Sequence, residues 1–294
     1  MGEVVKQREN VVVALKHSSP SWLPRGELFF TRKFLDVYFP DSRGDYTEQT
    51  ASAACLLGLS VVGVDLNEER SRSLLRQGKY GRLRDYFTVG CINGPVAQAI
   101  MQRGFRQAMA CLKKDRQTLT DIISSALKDF EETCGLTGKN GLSAIALADD
   151  IAGSKGLFLS PGDFADIVLP YYRQIAQIIK SNGLYAFFHS DGDTRTIIEL
   201  LIGAGYDCIH PVDAQAGLDL YDLKKTFGNR VSFMGHIDII NRDEGQIAQE
   251  VTHAEDVFKE GGLILGSTCG LYMETISDRL HALYPQWEGV KQKQ

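Results

Sequence analysis

The sequence predicts an α/β chain folded as a (β/α)8 TIM barrel. Two observations carry this. Short apolar runs rich in β-branched and aromatic residues alternate with longer runs of helical period, the pattern of a parallel sheet covered by helices. Eight such strand candidates fit in 294 residues, and about 250 suffice for a barrel of this kind. A third observation argues against the open doubly wound sheet. That fold is expected to carry a Gly-rich phosphate loop after an early strand, and neither GxGxxG nor GxxxxGKS/T occurs in the chain. No Pro/Ser-rich linker, low-complexity tract or repeat in identity interrupts residues 1–294, which read as a single domain.

The first four strand candidates are residues 26–31, 59–65, 86–93 and 142–149. The next four are 184–190, 206–211, 231–234 and 262–267, and the seventh runs straight into Gly235 and His236. From Leu142 onward each strand is followed by a helix and a short turn. Ser160-Pro161 opens a helix over 164–180 that stops at Asn182-Gly183, with Pro at the first turn and Gly past the end. A helix over 193–202 ends at Gly203 and Gly205, and one over 219–227 ends at Gly228. Asp193 and Asp219 read as N-caps of these two helices. A helix over 243–259 has an acidic first turn and stops at Gly261-Gly262, and one over 274–283 precedes Pro285.

Composition narrows the function classes. Lys and Arg total 32 against 37 Asp and Glu, a net charge of −5. A mildly acidic surface argues against non-specific nucleic-acid binding and against an anionic membrane as partner. Apolar residues at 44% and charged residues at 23% are ordinary for a globular protein, so disorder, collagen and coiled coil are excluded. No apolar run approaches the length of about 18 that a membrane span needs. The N-terminus, MGEVVKQREN, has no apolar stretch of a secretory signal, and Lys6 stands where myristoylation needs Ser or Thr. Six cysteines without a CxxC pair read as reduced thiols of a cytoplasmic protein.

Barrel active sites lie at the C-terminal ends of the strands, which turns the strand list into a list of site residues. Asp149-Asp150, His189-Ser190-Asp191, His210, His236 with Asp238, and Ser267-Thr268-Cys269 leave the later strands. Asp65 and Asn93 leave the second and third. Imidazole, carboxylate and thiolate from several strands are ligand types for a divalent metal, zinc above all. Blander readings stand beside this one. His210, before Pro211, is as readily structural as functional. His236 either binds an anionic substrate or holds a neighbouring loop. Cys269 is either a functional thiolate in a Ser-Thr-Cys-Gly loop or inert core.

The stretch FFHSDGDTRTIIELLIGAGYDCIHPVD, then VSFMGHID and GGLILGSTCG, resembles the uroporphyrinogen decarboxylase superfamily. ALADDIAGSKGLFLSPGDFADIVLPYYRQIAQIIKSNG fits the same pattern just upstream, while PRGE at 24–27 and GP at 94–95 match more weakly. The resemblance covers most of the chain and implies a (β/α)8 barrel. One branch of that superfamily is a metal-free decarboxylase with an Arg-rich motif of the type RQAGRYLPEY near its N-terminus. Here the corresponding stretch reads WLPRGELFFTRKFLDVYF, without the cationic grip that a polycarboxylate needs. The other branch comprises zinc-dependent methyltransferases that work with a corrinoid and carry His-x-Cys and a distant Cys as zinc ligands. His189 matches the His and Cys269 the distant Cys, while Asp191 replaces the middle Cys. The resemblance therefore implies a metal set of His189, Asp191 and Cys269. Asp191 is either a ligand or a partner that orients His189, with Glu27, His236 and Asp150 as candidates to complete the shell.

Within this reading His236, Asp150 and Asp149 are assigned to catalysis, and Asn93, His210 and Glu27 to substrate binding. The implied activity moves a methyl group between a small substrate and the cobalt of a corrinoid (cobalamin). A Cys-to-Asp exchange hardens the ligand set and favours oxygen over sulfur, hence an O-methyl compound. No DxHxxG corrinoid motif is present, so the corrinoid is expected on a separate partner protein. The alternatives are a metal-independent lyase of the decarboxylase type and a non-enzymatic barrel that binds a tetrapyrrole or a corrinoid protein.

Overall fold

A computed structural model of the protein describes residues 2–40, 44–268, 270–272 and 277–287. Eight parallel strands follow in chain order around one sheet: Gly26–Glu27, Val61–Asp65, Phe87–Asn93, Ala144–Ala148, Tyr185–His189, Cys208–His210, Ser232–Ile237 and Leu263–Ser267. Helices lie between them, and the fold is the (β/α)8 barrel that the alternation predicts. The strands are buried along almost their whole length, as Val61–Asp65 and Leu263–Ser267 illustrate. That is why they read as apolar runs without two-residue alternation.

The chain divides into two compact units. The first comprises Met1–Val64, Lys79–Thr88 and Ser232–Gln294, the second Asp65–Gly78 and Val89–Val231. In the first unit, strand one lies beside strand eight, and bridges join Arg25 to Leu265 and Phe30 to Leu271. Backbones approach closely here: a Cβ on Gly63 would sit 1.9 Å from the Leu28 carbonyl oxygen. Only glycine fits there. The helix Glu244–Val257 starts with a reciprocal capping box between Asp243 and Gln246. In the second unit the aromatic side chains of Phe164, Tyr172, Phe188 and Tyr206 pack together, with ring centroids 5.5–6.4 Å apart. No helix among the described residues is long and apolar enough to cross a membrane.

Several boundaries differ from the sequence reading for identifiable reasons. Strand one stops at Glu27 instead of reaching residue 31, because Thr31 already serves as N-cap of the helix Arg32–Tyr38. Strand seven does not end at Met234. Its pairing continues through Gly235, His236 and Ile237 opposite Leu265, Gly266 and Ser267. Gly235 and His236, which the sequence places directly after the strand, are thus part of its pairing. The helix expected over 164–180 begins at Pro161 under a Ser160 cap, then passes through a π-turn at Phe164–Val168 before Leu169–Ser181. Pro170 has no N–H to give to an i−4 carbonyl, and the widened turn absorbs that loss. Asp219 caps Leu220–Phe227 as predicted. Asp193 instead accepts from the Arg195 N–H ahead of a short 3-10 turn, and the α-helix starts only at Ile198. The last helix runs Ser277–Leu283, and residues 274–276 lie outside the described residues.

Candidate functional site

Among the described residues, a cluster of ligand-type side chains lies in the second unit, at the ends of the fourth and fifth strands. One donor atom each from Asp150, His189 and Asp191 lies within 4.8 Å of the others. His189 is the last residue of the fifth strand and is buried, with its Nε2 3.7 Å from Asp150 Oδ1. The Asp150 side chain is 58% exposed. The Asp191 N–H donates to Asp150 Oδ1 at 3.1 Å, and the Ile151 N–H donates to Ser190 Oγ at 3.1 Å. These bonds fix the two strand ends against each other. Gly192 N–H donates to Asp213 Oδ2 at 3.0 Å and anchors the far side of the loop.

His210, the last residue of the sixth strand, is the register partner of His189. The two Nδ1 atoms lie 2.8 Å apart and the rings tilt by 37°. Burial holds His189 below the usual histidine range, against the opposing pull of the Asp191 and Asp150 carboxylates. Burial, and then its neighbour His189, push His210 well below that range. Both shifts favour the neutral ring, the form in which imidazole binds metals. A divalent cation fits this donor set: three groups converge, one of them a neutral imidazole whose remote nitrogen is already held.

Asp149, assigned to catalysis from sequence, makes a different set of contacts. It is fully buried, and its carboxylate accepts from the Val96 N–H at 3.1 Å, the Ala97 N–H, and the Tyr172 hydroxyl at 2.8 Å. Val96 and Ala97 are in the first turn of the helix Pro95–Arg103, so the carboxylate caps that helix. Burial raises its pKa to about 7. Asn93 lines a cavity of about 510 Å3 in the same unit with Asn67, Arg72, Gln98, Met101 and Lys128 among its walls. Its backbone N–H is fixed by Asn67 Oδ1 at 2.8 Å.

Two further groups lie in the first unit. His236 is buried at the end of the seventh strand with a positive φ of 96°, a backbone state that a non-glycine residue adopts only at a cost. Its Nε2 lies 2.9 Å from Glu250 Oε1, and Glu250 Oε2 accepts from Arg242 at 3.0 Å. Glu27 is fully buried. Its carboxylate accepts from the Ser267 N–H at 2.7 Å, the Ser267 hydroxyl at 2.8 Å and the Tyr284 hydroxyl. Burial raises its pKa to about 7, even though these bonds pull it down. Cys269 lies outside the described residues.

The structure thus brings together His189, Asp191, Asp150 and His210. Sequence reasoning missed Tyr172, Glu250 and Tyr284, because each meets its carboxylate or imidazole partner across a long sequence separation or on a helix face. It also missed the pairing of His189 with His210. One signal existed: both histidines end adjacent parallel strands, and in-register alignment puts them side by side.

Comparison with known proteins gives the family. Residues 80–286 match the uroporphyrinogen decarboxylase (URO-D) family. No curated protein matches the sequence. Among solved structures, a methyltransferase from Methanosarcina mazei is similar with a TM-score of 0.75 at 16% identity, over 96% of this chain and 98% of that one. The YdhT protein from Bacillus subtilis has a TM-score of 0.57 at 10% identity, over 94% and 89%. A sugar phosphate isomerase/epimerase from Parabacteroides distasonis has a TM-score of 0.54 at 11% identity, over 92% and 97%. At these identities the likenesses speak for the barrel alone. The family match spans more than half of the sequence, and the chain belongs to the uroporphyrinogen decarboxylase family.

Proposed function

We propose that this chain acts as one domain and is a zinc-dependent methyltransferase. It moves a methyl group between a small substrate and the cobalt of a corrinoid carried by a separate protein. The observation that carries this reading is the convergence of Asp150, His189 and Asp191 at the strand ends. Zinc bound there would supply Lewis acidity toward the substrate heteroatom that carries the methyl group.

His189 offers the Nε2 lone pair, and Asp191 and Asp150 offer carboxylate oxygens. Cys269 is proposed as a further ligand through its thiolate, as the family resemblance implies. Asp150, the most exposed of the three clustered groups, is proposed to hold the ion on the side open to substrate. Asp149 contributes by holding the strand end that presents Asp150. His236, braced through Nε2 by Glu250, is proposed as a proton-handling group, and its strained backbone supports a functional role. Asn93 is proposed to bind substrate at the cavity it lines, whereas Glu27, buried against Ser267 and Tyr284, is proposed to tie the first strand to the eighth instead of binding substrate. With a carboxylate from Asp191 in place of a second thiolate the proposed donor set is harder, which favours an oxygen leaving group and hence an O-methyl substrate.

Purified protein should bind about one zinc per chain. With a Co(I) corrinoid protein and an O-methyl donor, it should methylate the corrinoid, as followed by visible absorption. Full activity in metal-stripped protein would exclude the reading.

A further inference from the structure

His210 was assigned to substrate binding from sequence, and its geometry suits another role. It is 1% exposed, ends the sixth strand in register with His189, and presents its Nδ1 to His189 Nδ1 at 2.8 Å. A nitrogen–nitrogen distance of this kind accommodates one proton. Two N–H groups would collide there, and two lone pairs would repel.

Neutral imidazole has a single N–H. The pair therefore has two proton arrangements, with the shared proton on either ring. A metal at His189 Nε2 needs the lone pair on that atom, which leaves the His189 proton on Nδ1. The only arrangement that remains has His189 Nδ1–H donating to a bare His210 Nδ1, with the His210 proton on its own Nε2.

We infer that His210 is a positioning residue for the metal: it accepts the Nδ1 proton of His189 and so fixes the ring orientation and the tautomer that expose Nε2 to the ion. The inference rests on the metal-binding reading above. Metal-ligating histidines are commonly oriented through their second nitrogen by a carboxylate or carbonyl, and losing that partner typically costs 10–100-fold in metal affinity. Here a second imidazole from the neighbouring strand fills the position. It is neutral, so it directs the proton without adding a negative charge to a site that already carries Asp150 and Asp191.

The test is zinc affinity of the full chain, measured by competition with a chromophoric chelator, in wild type, His210→Phe, His210→Gln and His189→Ala. Phe keeps the ring volume and offers no acceptor, and the Gln amide oxygen restores one. His210→Phe should weaken zinc binding roughly 10–100-fold, with a far-UV circular dichroism spectrum like that of wild type, and His210→Gln should recover most of the loss. Wild-type affinity in His210→Phe, together with a large loss in His189→Ala, overturns the role of His210 and leaves the metal site standing. Undiminished zinc binding in His189→Ala overturns the metal site itself. If His210→Phe does not fold, imidazole nitrogen NMR of zinc-loaded wild type decides. The inference requires His189 protonated at Nδ1 and His210 at Nε2, and the reverse assignment overturns it.

Discussion

Asp149 gives the sharpest division between a residue that performs chemistry and one that holds the frame beside it. Replacing it by Ala strands three donors: the Val96 and Ala97 N–H groups and the Tyr172 hydroxyl. Val96 and Tyr172 are almost wholly buried, so water cannot fully replace the carboxylate. A buried donor left without its acceptor costs about 1–3 kcal/mol, so with three stranded donors Asp149→Ala should lose roughly 3–9 kcal/mol, a large share of the 5–15 kcal/mol typical of a domain. Tyr172→Phe removes one of these bonds and should lose about 1 kcal/mol in the wild-type background and close to nothing in the Asp149→Ala background. Urea denaturation followed by far-UV circular dichroism measures both, provided the slope with denaturant stays constant. A loss below about 1 kcal/mol for Asp149→Ala, or additive costs for the pair, would refute the cap assignment.

The remaining predictions address the other clusters. His189→Ala and Asp150→Ala should each lose zinc, read by metal analysis after dialysis, while keeping the wild-type circular dichroism spectrum. Cys269→Ala should weaken zinc binding at least tenfold if its thiolate is a ligand, in the same chelator competition, and unchanged affinity would remove it from the set. Glu27 has a folded pKa raised from its ordinary 4.5 to about 7 by burial. Its contribution to stability is fully present below about pH 4.5 and is lost as pH rises through about 7, a change on the order of 3 kcal/mol. Between pH 5 and pH 8 the stability of wild type relative to Glu27→Gln should therefore fall with rising pH, read from paired melting profiles, and parallel profiles would contradict this. Glu250→Gln should lower methyl transfer by one to two orders of magnitude without altering zinc content if Glu250 holds the His236 ring for proton handling.

The fold was largely legible because a parallel sheet buried on both faces leaves an unmistakable trace: runs such as LILGS and AIALA, each followed by a helix. What failed were boundaries set by tertiary context. Thr31 capped a helix that the sequence reading did not assign, and the seventh strand paired on past Met234 through Ile237. Candidate site residues were legible at strand ends, since barrel topology assigns them to one side. Roles were harder to read. Whether Asp149 or Asp150 turns toward the ligand cluster depends on side-chain direction at a strand terminus, and the outcome was decided by Tyr172 and by the first turn of the helix Pro95–Arg103. The His189–His210 pair is visible only once the fifth and sixth strands are aligned in register.

The central claim is that Asp150, His189 and Asp191 share one divalent ion. Anomalous diffraction at the zinc edge from crystals of the zinc-loaded protein tests it directly. The account predicts a peak about 2.0–2.2 Å from His189 Nε2 and from a carboxylate oxygen of Asp150 or Asp191. A peak bound only by other residues, or none at this cluster in protein that is fully active, would contradict it.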